Sequence, residues 1–327
     1  MKKEPTFFVI GGANVDVIAS PHATIHQKDS NPASIMTSFG GVASNIARNL
    51  ALLDKRVKFL SVFSSDGFGK DFIQHLSLFN VNLESCVVVD EPSPMYLAML
   101  DHQQDLMLAM VDTSILNHLK PSHIKAFLKN TTNEDVVVFD TNLNASIIHA
   151  IVNNTNATLV CDPVSIEKAK KIVPYLHKID VIKPNIHQGV ALSNIAYKNK
   201  QDLVKIGNYF LNQGVKEVLL TLGEDGAMYF NDNQTFTIKH PHIDVVNAVG
   251  AGDAMLGSFV AFKDTYDKIR ALKMSVAAAM IACLTKNSVH QELSIEYISE
   301  MIEHHVICVE KINKGEDNGE SISVIKK

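Results

Sequence analysis

Asn247-Ala248-Val249-Gly250-Ala251-Gly252-Asp253-Ala254-Met255 leads without a break into the apolar stretch 256–262. Glycine and alanine cover little backbone. A Gly-Ala-Gly turn opening a helix therefore leaves successive N–H groups pointing outward, and such a helix start is a ready anion site. Asp253 falls in the first turn, where two readings stay open. It is either an acidic residue favoured by the helix dipole, or, beside a bound phosphate, a base that takes the proton of an attacking hydroxyl.

Two more glycine-rich segments lie upstream. Gly40-Gly41-Val42-Ala43-Ser44-Asn45 precedes a stretch with Ile46, Leu50 and Leu53 at helical spacing, and glycine there lets backbone approach a ligand closely. Gly11-Gly12-Ala13-Asn14-Val15-Asp16 follows the apolar run Phe7-Phe8-Val9-Ile10. That is the carboxyl end of a first strand, where open α/β sheets bind ligands. Asn14 and Asp16 share one side of an extended segment and are placed to grip a diol. Lys183-Pro184-Asn185-Ile186-His187-Gln188 and Thr221-Leu222-Gly223-Glu224-Asp225-Gly226 also follow short strands. Each of these four segments also reads as an ordinary polar or glycine-rich turn.

Short β-rich runs at 57–62, 87–89, 136–139, 158–161, 181–182 and 218–221 alternate with helical stretches such as 44–53 and 68–79. This predicts an α/β fold, a doubly wound and mostly parallel sheet with helices on both faces. Two segments, about 14–40 and 86–112, break the alternation. In the second, Tyr96-Leu97-Ala98-Met99-Leu100 and Leu106-Met107-Leu108-Ala109-Met110 flank a polar turn. They predict a small β lid inserted into a single domain over 1–312, followed by a polar tail at 313–327.

Of 327 residues, 46% are hydrophobic and 20% charged, enough for one large core. The net charge of −5 and the lack of a basic cluster before the tail predict no nucleic-acid polymer as partner. No apolar run approaches the roughly 18 residues of a membrane span, and the charged start Met1 to Glu4 running straight into a strand predicts no signal peptide. The cysteines Cys86, Cys161, Cys283 and Cys308 are scattered without a CxxC, which predicts reduced thiols and a cytoplasmic location. No GxGxxG, GxxxxGK[ST] or GxSxG is present, which removes the dinucleotide, P-loop and serine-hydrolase fingerprints.

Taken in order, these motifs resemble the ribokinase-like (pfkB-type) carbohydrate kinases over about 7–300. Gly40 to Asn45 looks like the family's first signature, and the segment ending Gly250-Ala251-Gly252-Asp253-Ala254 like its second. The resemblance implies a three-layer α/β/α enzyme that transfers the γ-phosphate of ATP to a sugar or nucleoside. It implies Asp253 as base, Gly250, Ala251 and Gly252 as anion hole, and Asn14, Asp16, Gly41 and Asn45 around the sugar. Thr221, Gly223 and Gly226 would line the ATP side. Asn185 would lie near the phosphates and Mg²⁺, with Gln188 acting on the metal through water. Within the family, the opening Gly11 to Asp16, the segment Asp29-Ser30-Asn31-Pro32 and the lid wording are similar to the subgroup acting on pseudouridine. Ser30 and Asn31 are then expected to face the base. Gln188 stands where the family has Glu, Ala248-Val249 replaces a Thr pair, and Asn247 replaces an Asp. An amide in place of that carboxylate predicts a weaker effect of a monovalent cation such as K⁺. The lid hairpin can pair with that of a second copy, giving a homodimer, or stay free. The alternatives are a kinase for ribose, another nucleoside or a ketose, and a non-catalytic relative that only binds.

Overall fold

The computed structural model describes residues 4–103 and 105–312; the expected tail 313–327 lies outside them. The strands are β1 (Thr6–Ile10), β2 (Asn14–Pro21), β3 (Ala33–Gly40), β4 (Arg56–Leu60), β5 (Val62–Ser64), β6 (Val87–Val89), β7 (Met95–Leu100) and β8 (Leu106–Asp112). They continue with β9 (Val136–Asp140), β10 (Thr158–Asp162), β11 (Val181–Ile182), β12 (Glu217–Thr221), β13 (Ala227–Asn231), β14 (Thr235–Lys239) and β15 (Cys308–Lys311). The helices are α1 (Val42–Leu52), α2 (Gly67–Ser77), α3 (Pro121–Leu128), α4 (Ala145–Asn153), α5 (Ile166–Ala169), α6 (Ile186–Ser193), α7 (Lys200–Asn212), α8 (Ala251–Phe262), α9 (Lys268–Ala282) and α10 (Ile295–His304).

Nine strands form the main sheet in the order β15-β14-β13-β12-β11-β10-β9-β1-β4. From β4 to β12 all pairings are parallel, and β13, β14 and β15 extend the edge antiparallel. Successive side chains of a strand point to opposite faces. Phe7 and Val9 accordingly join the core beneath α1, α8, α9 and α10, and Phe8 and Ile10 join the one beneath α3, α4 and α7. Burial on both faces is why the parallel strands read as unbroken apolar runs. The helix α8 packs closely on α1 at Gly257, where a Cβ would meet that of Asn49 at 3.4 Å, an ordinary contact.

The expected single strand over 57–62 is two. Gly11 N–H donates to Leu60 O (3.2 Å) and Ser61 Oγ donates to Gly11 O (2.6 Å), which pins Ser61 and turns the chain out of the main sheet. The strand β5 pairs with β6 in a separate two-stranded ribbon, so Val87–Val89 belongs neither to the main sheet nor to the lid. The two segments that break the alternation do make one sheet between them, in the order β3-β2-β7-β8. It exposes Ile35, Met36, Leu106, Met107, Leu108, Met110 and Val111. Among the described residues, no helix is long and apolar enough to cross a membrane.

Candidate active site

The parallel strands deliver their carboxyl ends to one edge of the sheet, as ligand-binding α/β folds require. There β1 runs into Gly11-Gly12, β9 ends in Asp140, β10 in Asp162, β11 is followed by Lys183, and β12 ends in Thr221. The lid strands β2 and β3 leave from the same edge, and α1 and α8 begin beside it.

On the acceptor side, Asp140 fixes the start of α1. Its carboxylate accepts from Gly12 N (2.9 Å) and Ala43 N (3.1 Å). Burial pushes this carboxyl up, and those N–H bonds oppose it. Gly41 caps α1 with φ 94°. A side chain there would be strained, and its Cβ would lie 2.8 Å from Asn14 Oδ1. Asn14 Nδ2 donates to Asp16 Oδ1, so the two polar groups expected to grip a diol do share one side of β2. Asn14 pairs with Gly40 across the lid, and a Cβ on Gly40 would overlap the Asp16 carboxylate. Burial pushes the Asp16 carboxyl up to about 7, while Arg48 and Asn14 hold it down.

Asp253 is the third residue of α8, only 8% exposed, and Asn45 Nδ2 donates to its Oδ2 at 2.7 Å. Burial pushes the Asp253 carboxyl up to about 7; Asp162 adds repulsion, and Lys183 and Asn45 oppose it. A carboxyl titrating near neutrality is suited to take a proton at physiological pH. Gly250 is left-handed at φ 87°, and no side chain caps the helix. The expected anion hole shifts here: Ala251 N–H turns back onto Ala248 O (3.3 Å), because the left-handed cap closes a tight turn. The open amides of the first turn are those of Gly252 and Asp253.

Lys183 stands beside this helix start. A Cβ on Gly252 would come 2.7 Å from its Nζ, and the same Nζ pairs with Asp162 Oδ2 at 3.0 Å, both side chains nearly buried. Burial pulls the ammonium down, but Asp162 and Asp253 together hold it above its ordinary range. The glycine thus leaves a cradle floored by amides and walled by one cation. The two loops expected on the nucleotide side meet each other: Asn185 bridges Thr221, Thr221 N–H donates to Pro184 O (3.0 Å), and Gly223 and Gly226 carry the turn at φ 67° and 91°.

Asn185 and Gln188 have a further occupation. Asn185 Oδ1 accepts from Gln188 N, and Gln188 Oε1 accepts from Asn185 N, each at 2.9 Å. This is a capping box, which Gln closes as well as Glu. Among the described residues no group of three or more His, Cys, Asp or Glu is placed to hold a metal ion.

Ser30 and Asn31 are not brought to this site. They sit on the exposed loop joining β2 to β3, beyond the Pro21–Ala33 pair, about 23 Å of strand from Asn14 at ~3.3 Å per residue. The Asn31 amide closes that turn: Nδ2 donates to His26 O and Asp29 O (both 2.9 Å), and Oδ1 accepts from His26 N (2.7 Å). Sequence reasoning missed Arg48, Asp140, Asp162 and Lys183. Asp140 and Asp162 were signalled by apolar runs ending in Asp at strand ends. Arg48 lies three residues from Asn45, on one face of α1.

The chain matches the family model described as pfkB family carbohydrate kinase over residues 5–294. It is 28% identical over 308 residues to pseudouridine kinase of Escherichia coli (strain K12), covering 93% of this chain and 98% of that one. A candidate sugar kinase structure from Clostridium perfringens superposes with a TM-score of 0.82 at 26% identity, covering 96% and 100% of the two chains. A candidate ribokinase II from E. coli, solved with ATP and Mg²⁺, gives 0.78 at 19% identity over 93% and 100%.

Proposed function

The chain belongs to the pfkB family of carbohydrate kinases, an ATP-dependent class acting on sugars and nucleosides, and within it we propose that this enzyme phosphorylates the 5′-hydroxyl of pseudouridine. The observation that carries the chemistry is the buried Asp253, held by Asn45 at an uncapped helix start, with Arg48 acted on both by it and by Asp16 of the Asn14–Asp16 pair. Asn14 and Asp16 bind the ribose hydroxyls and aim its primary hydroxyl at Asp253, which takes the proton as that oxygen attacks the γ-phosphorus and the bond to the β-phosphate oxygen breaks, releasing ADP. The amides of Gly252 and Asp253 and the Lys183 ammonium meet the charge on the phosphoryl oxygens.

The helix start at Gly252 suits a terminal phosphate: its amides and the Lys183 ammonium converge there, and the missing side chain leaves Lys183 Nζ within 2.7 Å of where a Cβ would stand. Mg²⁺, when bound with ATP, supplies charge neutralisation; it keeps several waters and needs few protein oxygens. Asn185 and Gln188 suit that outer role with the lone pairs their capping box leaves free. The lid sheet excludes water from the transfer. Its exposed apolar strip along β8 suits a homodimer through the lid, and four unlinked cysteines suit a cytoplasmic setting.

The pseudouridine reading is supported by the relative matched over nearly the whole of both chains. With Ser30 and Asn31 remote, the base is met by Tyr96, which pairs with Asp16 across β2 and β7. The test is phosphoryl transfer by the purified chain to pseudouridine, uridine, guanosine, ribose and fructose, with products identified by mass. Pseudouridine is expected to react best, and excess chelator to stop the reaction. Preference for ribose or a purine nucleoside rejects the substrate; transfer to none leaves a binding protein.

A further inference from the structure

Asn45 can orient Asp253 only if something orients Asn45. Its amide is symmetric in shape, and a flip would turn Oδ1 toward the carboxylate. The residue that decides is Arg48, one turn further along α1 and 4% exposed. Its Nη2 donates to Asn45 Oδ1 (2.5 Å) and to Phe39 O (2.7 Å). Because a guanidinium can only donate, Asn45 must present oxygen to Arg48 and so Nδ2 to Asp253. Phe39 is the penultimate residue of β3, next to Gly40 and Gly41, so the same fork ties down the strand by which the lid returns to α1.

We propose that Arg48 is a positioning residue for the transfer, locking Asn45 as the donor to Asp253 and fixing the lid strand at Phe39. Its charge supports the role. Asp16 on β2 and Asp253 on α8 both act on it, and burial lowers it to about 10, so it remains a cation near neutrality. On α2, His75 Nε2 lies 3.3 Å from Nη1, and burial and then Arg48 hold that imidazole below its ordinary range. A neutral His75 accepts from Arg48. The other charged groups around Asp253 are Asp162, Lys183 and Asp140. Arg48 therefore favours the ionised form of Asp16 directly, and that of Asp253 through the Asn45 amide it orients.

This inference rests on the kinase reading, and its test separates the two. Arg48→Met and Arg48→Lys are compared with the wild type in the pH profile of kcat/KM for the acceptor. Losing a close opposite charge raises a carboxyl by about one pH unit or more. The acid limb of Arg48→Met should move up by that much, with activity at pH 7 down about tenfold and largely recovered at pH 9. Arg48→Lys should fall between, and nucleotide binding should hold in both. A uniform loss with the limb unmoved would mean a merely structural arginine and overturns the proposal. If Arg48→Met does not fold, Arg48→Lys alone must still shift the limb. The aspartate carboxyls are also titrated by ¹³C NMR without substrate. A higher Asp253 titration in the variants supports the proposal even if the wild type phosphorylates nothing, whereas an unchanged one overturns it whatever the activity.

Discussion

Replacing Asp253 by Asn should weaken catalysis and strengthen the fold, and the size of the second effect follows from burial. The carboxyl stands at about 7 against an ordinary 3.8, chiefly because it is buried. Its raised value means that the folded state binds a proton more tightly than the unfolded one, so stability is lost as pH rises from about 4 to about 7. At 1.36 kcal/mol per pH unit, ionising it in place costs about 4 kcal/mol at pH 8 and under about 2 kcal/mol at pH 5. Asn keeps the shape and still accepts from Asn45 Nδ2, but carries no charge to bury. Lys183 loses the attraction of that carboxylate, which returns part of the gain. Urea unfolding of Asp253→Asn should therefore show extra stability of about 1–3 kcal/mol at pH 8, shrinking at pH 5. In the same preparation kcat should fall about 10²-fold or more with ATP binding kept. A variant less stable than wild type at pH 8, or a gain that does not change with pH, would refute the account of a strained base; near-normal turnover would remove the base assignment itself.

Gly252→Ala puts a methyl group 2.7 Å from Lys183 Nζ; the overlap should raise KM for ATP about tenfold, the equivalent of ~1.4 kcal/mol, with little change in acceptor KM. Asn247 donates to Lys286 O (3.1 Å) and accepts from Val249 N (3.0 Å), so the wild type should respond weakly to K⁺ over a non-binding cation at fixed ionic strength. Asn247→Asp, which loses the donor, should gain a response; strong activation of the wild type would contradict this. Asn31→Ala should cost about 1 kcal/mol of stability and leave the acceptor preference unchanged, and Tyr96→Ala should cost about 1–3 kcal/mol of kcat/KM with pseudouridine but little with ribose.

The alternation of apolar runs and helices carried the fold, and Gly250 to Asp253 carried the centre of the site, because glycine and a helix-start carboxylate act through backbone geometry that local sequence encodes. Asn14 and Asp16 were legible for the same reason. Arg48 and Lys183 were not. A charged residue within a helix or after a strand reads as solvated, and only the packing of α8 on α1 and the Gly252 gap bury these two. Ser30 and Asn31 misled because a polar turn looks the same at the tip of a hairpin as beside a ligand; the register of β2 against β3 decides, and register is a tertiary property. Ser61 likewise ended a strand through bonds to Gly11, fifty residues away.

The contact between Asn45 and Asp253 joins positions 208 apart in the chain, and that separation has a consequence for synthesis. A nascent chain grows at about 5–20 residues per second. While it is shorter than about 250 residues it holds the diol-gripping strand, the Arg48 fork and the lid, but neither the phosphate cradle nor the base. Even β1, one strand in from the β4 edge of the sheet, must wait for β9 on its other side. On the proposed assignment, an unfinished or truncated product lacks both the cradle and the base and catalyses no transfer. The site is complete only once α8 packs on α1.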